Sequence, residues 1–225
     1  MLTAIIVAAG SSRRMGFDKL LAPLAGKSVL EHSVDAFQNT KSVAEILVIS
    51  REDRIEEFRK LLQGRSKVRA IIPGGEHRQD SVNAGLQQLS AETKFVAVHD
   101  AARPLVTPEQ IGRTYAKARE CGGATLAEAI SDTLKRGKDG FAAESVDRRE
   151  LFAMQTPQIF ARELLLKAYQ MVFASKLHIT DEVSAIQYVG GEVALVLADD
   201  FNFKITVERD LQLAEMILRE RAKSA

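Results

Sequence analysis

At 225 residues with 46% apolar side chains, the chain can bury a sizeable core, and one α/β domain of this size is ordinary. Its 31 Lys+Arg against 30 Asp+Glu leave a net charge of +1, which gives no reason to expect a nucleic-acid coat protein or a polybasic membrane binder, and its single cysteine, Cys121, excludes an intrachain disulfide and a cysteine-based zinc site. The apolar runs fall far below the roughly 20 residues of a bilayer span, and residues 1–7 lack the basic and long apolar regions of a secretory leader, so the expectation is a soluble, cytoplasmic protein with no nucleic acid and no membrane as partner.

Short β-rich apolar runs alternate with longer segments of helical period. The runs are 4–7, 46–49, 68–72, 95–98 and 193–197, and several are apolar on consecutive residues, as suits strands covered on both faces. Ser28-Val29-Leu30-Glu31 has the spacing of a capping box and opens a helix with Leu30, Val34 and Phe37 on one face. Thr107-Pro108-Glu109-Gln110 marks a second start, with proline at the first helical position. Thr180 suits the cap of a helix beginning at Asp181, and Thr206 suits the cap of a last helix whose stripe is Leu211, Ala214 and Leu218. This order predicts an α/β fold with a doubly wound, mostly parallel sheet. Residues 132–155 break the rhythm. They are polar and turn-rich, with Gly137-Lys138-Asp139-Gly140 between two extended pieces, and read as a hairpin arm that needs another surface, such as a second subunit.

Four regions carry candidate chemistry. After the first strand comes Ala8-Ala9-Gly10-Ser11-Ser12-Arg13-Arg14-Met15-Gly16-Phe17-Asp18-Lys19, a small-residue loop with three cations at a strand's carboxyl end. Backbone N–H groups of such a loop can cradle phosphate oxygens. Its spacing matches neither the dinucleotide-binding fingerprint nor the P-loop, which argues against a dehydrogenase and a P-loop kinase. After the third strand, Gly74-Gly75-Glu76-His77-Arg78-Gln79-Asp80-Ser81 offers a close backbone approach and polar groups suited to a base edge. In His99-Asp100-Ala101-Ala102-Arg103-Pro104, Asp100 stands where a carboxylate can help to hold Mg²⁺, or can pair with an arginine; His99 reads as a packed strand-end histidine. The fourth group is Asp147-Arg148-Arg149, Thr156-Pro157-Gln158, Thr180-Asp181-Glu182 and Asn202-Phe203-Lys204-Ile205-Thr206, informative only together. Cys121 reads as a small buried residue at a helix end, and His32, His77 and His178 lack metal spacing.

Taken in register, these motifs resemble those of the 2-C-methyl-D-erythritol 4-phosphate cytidylyltransferases, together with Asp132-Thr133, Val146-Asp147-Arg148 and Gln155-Thr156-Pro157-Gln158, from Ala4 to the last helix. The resemblance implies a Rossmann-like nucleotidyltransferase domain over 1–225 with a dimerisation arm at about 132–155. It implies transfer of CMP from CTP to methylerythritol 4-phosphate, with release of pyrophosphate, in non-mevalonate isoprenoid synthesis. It further implies Mg²⁺ as the metal and a homodimer. Arg14 and Lys19 match the pair that stabilises charge on the transferring phosphate. Lys204 and Arg148 match the residues that place the alcohol phosphate, with Arg148 supplied by the partner's arm. Asp100, Arg103, Thr133, Thr156 and Thr180 match substrate contacts; Ala8, Ala9, Gly10, Gly75 and Ser81 match positions around CTP. Glu76 stands where the family often carries aspartate. The loop before Lys19 is short and lacks the expected proline, and Met15–Leu21 is also similar to guanylyltransferases of molybdenum cofactor synthesis. A ribitol 5-phosphate cytidylyltransferase and a non-catalytic nucleotide-binding module are the alternative readings.

Overall fold

The computed structural model describes residues 1–10 and 16–224. In chain order the elements are β1 (Leu2–Ala8), the short β2 (Pro23–Leu24) and β3 (Lys27–Ser28), α1 (Val29–Asn39), β4 (Val43–Ser50), α2 (Ile55–Leu61), β5 (Val68–Pro73), α3 (Arg78–Leu86), β6 (Phe95–Asp100) and α4 (Pro108–Cys121). Then follow β7 (Gly123–Ala129), β8 (Leu134–Lys138), β9 (Phe141–Val146), β10 (Phe152–Ala161), α5 (Arg162–Ala174), α6 (Glu182–Tyr188), β11 (Ala194–Leu197) and α7 (Glu208–Ser224). Among the described residues, no helix is long and apolar enough to cross a membrane.

Seven strands form one sheet in the order β11-β7-β10-β6-β1-β4-β5. β1 runs parallel to both β4 and β6, β4 to β5, and β11 to β7, while β10 is antiparallel to both neighbours. The expected Rossmann-like, doubly wound and mostly parallel sheet is therefore present. The chain winds from β1 outward to β4 and β5, then returns to place β6 on the other side of β1. That reversal is a topological switch point, where the carboxyl ends of neighbouring strands leave a crevice.

The consecutive apolar residues of the predicted strands have a direct reason. Leu2, Ala4, Ile6 and Ala8 of β1 face the side packed by Val34 and Phe37 of α1, and Ile5 faces the side packed by Val82 and Leu86 of α3. With period-two alternation and helices on both faces, every position but Val7 is buried. Ser28 and Glu31 make the predicted capping box on α1, and Thr107 with Gln110 make another on α4. On α6 the cap is Asp181, whose side chain accepts from Ser184 N, in place of Thr180, which is exposed; an aspartate carboxylate one residue on meets the same free donors. The start of α7 is secured by Asp210, whose Oδ2 accepts from Thr206 N, Thr206 Oγ1 and Val207 N.

Cys121 is exposed, contrary to the burial expected for it. α4 ends at this residue, Gly122 reverses the chain with φ +86°, and the thiol is left at the rim with Sγ on the Lys117 carbonyl.

The central excursion is a hairpin inserted between β7 and β10. β8 pairs antiparallel with β9, from Leu134 opposite Val146 to Lys138 opposite Phe141. Asp139 and Gly140 form the two-residue turn, with φ of +52° and +84°. Antiparallel neighbours need only such a connection, whereas parallel strands need a crossover helix, which explains why β10 enters the sheet reversed. Residues from Phe152 onward already belong to the central sheet.

Phe37 is fully buried and its ring lies 5.0 Å from the His99 ring, so the α1 layer supports the end of β6 directly. Phe37→Ala is expected to lower the free energy of unfolding by about 3–5 kcal/mol, as read from urea denaturation.

Candidate active site

A cavity of about 370 Å³ opens at the switch point, lined among others by Ala9, Gly10, Lys19, Gly75, Glu76, Ser81, Asp100 and Lys204. Four chain segments meet there: the loop after β1, the loop between β5 and α3, the end of β6 with Asp100, and the stretch between β11 and α7 that carries Lys204. Each was singled out in the sequence, and the fold brings them to one place.

The glycines after β5 are required by packing. A Cβ on Gly74 would stand 2.6 Å from Ser81 Oγ and 2.8 Å from Ala9 Cβ, and one on Gly75 would stand 2.3 Å from Asp80 Cβ. Their absence lets the β5–α3 loop press against the loop after β1. The Gly75 N–H donates to Ser81 Oγ at 3.2 Å, which ties two of the predicted nucleotide-side positions together on the cavity wall.

Asp100, the last residue of β6, is the hub. Arg78 Nε donates to its Oδ1 at 2.9 Å and Lys204 Nζ to its Oδ2 at 2.6 Å. Burial alone would push this carboxyl up, but the charges of Arg78 and Lys204 outweigh burial and hold it well below the usual carboxylate range. Arg78 also grips Glu182 with both terminal nitrogens, at 2.7 and 3.0 Å, and Tyr169 donates its hydroxyl to Glu182 Oε1 at 2.9 Å. Burial would lower the affinity of the Arg78 guanidinium for its proton, and the negative charges of Glu182 and Asp100 raise it well above the ordinary value.

Lys19 and Lys204 approach from opposite segments. Lys19 Nζ donates to the Ile205 carbonyl at 2.7 Å, and Ile205 N donates to the Ala102 carbonyl at 2.8 Å. The loop holding Lys19 is pinned in turn: Asp18 Oδ1 accepts from Leu20 N at 3.1 Å, and Asp18 Oδ2 lies 3.6 Å from Arg54 Nε. Arg14, the other expected phosphate-side cation, lies outside the described residues.

The other predicted positions take different places. Ala8 is buried at the end of β1 and sets the level of the loop. Arg103 binds backbone, with Nη1 on the Asn202 carbonyl at 2.8 Å, and so ties the β6 loop to the Lys204 segment. Thr156 is buried one layer behind Asp100, whose N–H it accepts at 3.1 Å. Thr133 and Arg148 are exposed at the base of the arm, where Arg148 donates to the Ser131 carbonyl, and Thr180 is exposed before α6. None of these three lines the cavity among the described residues. Arg78 and Glu182 stood in the quoted motifs but were not among the expected site residues. The available signal was the arginine three residues beyond Gly75 and the acidic pair beginning α6.

His99 is a strut, as read from the sequence. Its Nε2 faces the Arg103 carbonyl at 3.2 Å, which can only accept, so Nε2 carries the proton. Its Nδ1 is then an acceptor for the Thr156 hydroxyl at 3.0 Å. Burial lowers the pKa of His99 to about 3.

Among the described residues, no three histidine, cysteine, aspartate or glutamate side chains converge as a metal site. Both Asp100 oxygens already accept from cations. The donor set therefore suits a divalent cation that arrives on a ligand's phosphates rather than an ion caged by protein alone.

A doubly wound sheet with lysines and carboxylates grouped at its switch point is the arrangement of a nucleotide-binding transferase of the nucleotidyltransferase type. The model of the 2-C-methyl-D-erythritol 4-phosphate cytidylyltransferase family (IspD) matches residues 2–220. A protein of that name from Dehalococcoides mccartyi is 38% identical over 221 residues, 96% of each chain. The solved structure of 4-diphosphocytidyl-2C-methyl-D-erythritol synthase from Anaerococcus prevotii superposes with a TM-score of 0.87 at 26% identity, covering 97% of this chain and 98% of its own. That of the Thermus thermophilus cytidylyltransferase gives 0.81 at 30% identity, covering 96% and 98%. The chain belongs to the 2-C-methyl-D-erythritol 4-phosphate cytidylyltransferase family.

The neutral, buried His99 makes stability pH-dependent with a definite sign. The unfolded chain binds a proton at this histidine as the pH falls through about 6.5, whereas the folded chain does so only near 3. Stability is thus complete above about pH 6.5 and declines toward pH 3; Asp100, with its lowered pKa, adds loss of the same sign only once the pH reaches the carboxylate range. Urea denaturation from pH 7.5 to 4.5 is expected to give a flatter dependence for His99→Gln than for the unsubstituted chain.

Proposed function

We propose that the cavity at the β1/β6 switch point is where this chain transfers CMP from CTP to 2-C-methyl-D-erythritol 4-phosphate, giving the CDP-linked alcohol and pyrophosphate. Family membership supports the reaction. The observation that carries the siting is that Lys19 and Lys204, from opposite ends of the chain, line one cavity with Asp100.

The acceptor is a phosphate monoester, ionised at neutral pH, so its oxygen attacks without a general base. The buried, neutral His99 does not line the cavity and is not such a base. The new bond joins that oxygen to the α-phosphorus of CTP, and the bond from the α-phosphorus to the bridging oxygen breaks, releasing pyrophosphate. The obstacle is repulsion between two polyanions. Lys204 meets the acceptor's phosphate; Lys19 and Arg14 meet the triphosphate and the five-coordinate transition state. Gly75, Glu76 and Ser81 border the base and Ala9 and Gly10 the phosphates. Asp100 would help to hold a Mg²⁺ ion arriving on the triphosphate, and such an ion would supply further charge neutralisation there.

The arm belongs to the same reading. An isolated two-stranded hairpin is marginal in water, and Phe141 at its turn is 78% exposed. A homodimer covers this surface and lets Arg148 of the partner subunit reach the acceptor's phosphate.

Lys19→Ala and Arg14→Ala are expected to keep the circular dichroism of the unsubstituted chain and to lose about 10²–10³ in turnover, as read by pyrophosphate release with CTP and with methylerythritol or ribitol phosphate as acceptor. Near-full activity in either variant would remove the loop from the mechanism. Mixing Arg148→Ala with Lys19→Ala should restore part of the activity, because some heterodimers then contain one complete site; no recovery despite subunit exchange counts against a shared site.

A further inference from the structure

We propose that Glu182, supported by Tyr169, is a positioning residue of the transfer reaction that acts on Lys204 through Arg78 and Asp100. The proposal rests on the reading that Lys204 meets the acceptor's phosphate.

Glu182 has no accessible surface and does not line the cavity, so it touches neither substrate. It sits at the first position of α6, where the Gln158 side chain takes up two free backbone donors, those of Glu182 and Val183, at 3.0 and 3.1 Å. The helix start is thus satisfied without the Glu182 side chain, which turns inward instead. Its two oxygens hold Arg78 in a fork, and the Tyr169 hydroxyl fixes the fork from behind. A fully buried carboxylate contributes little net stability, because desolvation cancels much of the attraction in an ion pair. Packing alone would be served as well by an apolar side chain.

The geometry gives Glu182 something further to do. A guanidinium is planar, and two contacts to one carboxylate fix its plane. With Nη1 and Nη2 committed to Glu182, Nε presents a single donor to Asp100 Oδ1. That leaves Oδ2 facing Lys204 at 2.6 Å. Two cations and two carboxylates alternate along this chain, which joins α6, α3, the end of β6 and the segment before α7. Replacing Glu182 with glutamine keeps the shape and an acceptor for Arg78 but removes one of the two negative charges. Asp100 is then the sole carboxylate for two cations, its oxygens turn further toward Arg78, and Lys204 loses its fixed orientation in the cavity.

A double-mutant cycle on the full chain tests this, with pyrophosphate release as the assay. E182Q is expected to keep the circular dichroism of the unsubstituted chain and a KM for CTP within about twofold, while kcat/KM for the alcohol phosphate falls about tenfold. In a K204A background the same substitution is expected to cost less than about twofold, because its target is already gone. A substitution that acts only by loosening the fold would cost the same factor in both backgrounds, and that result overturns the proposal. So does wild-type kinetics for E182Q while K204A is impaired. If K204A itself keeps full activity, the reading of Lys204 fails and the route through it fails with it. Should E182Q not fold, Tyr169→Phe removes one hydrogen bond to Glu182 without creating a buried charge. It is expected to cost about two- to fivefold alone and nothing in the K204A background; equal cost in both, or none in either, overturns the proposal.

Discussion

The site is organised around one carboxylate shared by two cations. Asp100 lies at the end of β6, held between Arg78 on one side and Lys204 on the other. Without it, the two positive charges would repel across a part-buried wall. With it, a lysine can be kept at the cavity in the absence of any phosphate. An incoming phosphate then competes with Asp100 for Lys204 without having to order the side chain first. Preorganisation of this kind is what makes a fixed charge useful to a reaction whose barrier is electrostatic.

Topology explains why the partners are so far apart in sequence. The Lys19–Ile205 hydrogen bond spans 186 residues, and the Arg78–Glu182 and Asp100–Lys204 pairs span 104 each. No local element could hold these groups together. The sheet does so because β1 and β6 are neighbours at the point where winding reverses, and the segment between β11 and α7 passes over their carboxyl ends. Arg103 and the Ile205 backbone clamp that segment to the β6 loop, so the position of Lys204 is fixed by backbone contacts before any charge acts.

The parts that could be read in the sequence were those whose cause is local. Strand β1 is apolar without a break from Ala4 to Ala8 because both its faces are covered, and the caps at Ser28 and Thr107 depend on residues three apart. The crevice could be placed because it depends on strand ends and small residues, both visible in a linear pattern. β7 and β10 were not assigned as strands, since Gly123-Ala124-Thr125 and Met154-Gln155-Thr156-Pro157 carry little β-branched or alternating signal and take their conformation from neighbouring strands. The burial of Glu182 was equally hidden. A glutamate opening a helix is ordinarily solvated, and only the arrival of Arg78 from α3 and Tyr169 from α5 makes an interior position tenable.

The uncharged side of Asp100 is built on a different principle. Its backbone N–H donates to Thr156, Thr156 donates to His99, and His99 donates to the Arg103 carbonyl. The two middle groups, Thr156 and His99, each donate one hydrogen bond and accept one, which a neutral imidazole can do and an imidazolium cannot. A side chain of similar size without a donor and an acceptor on opposite edges, such as phenylalanine or leucine, would leave a buried hydroxyl and a buried carbonyl each short of a partner. The requirement for a neutral ring is also a reason to bury it, because burial is what lowers its pKa. A histidine next to a carboxylate at the end of a strand is easily taken for a base. Here its use is the reverse: a ring that does not change charge in the working pH range keeps the end of β6 fixed, so that the charged side of Asp100 can respond to the ligand while the strand beneath it does not move.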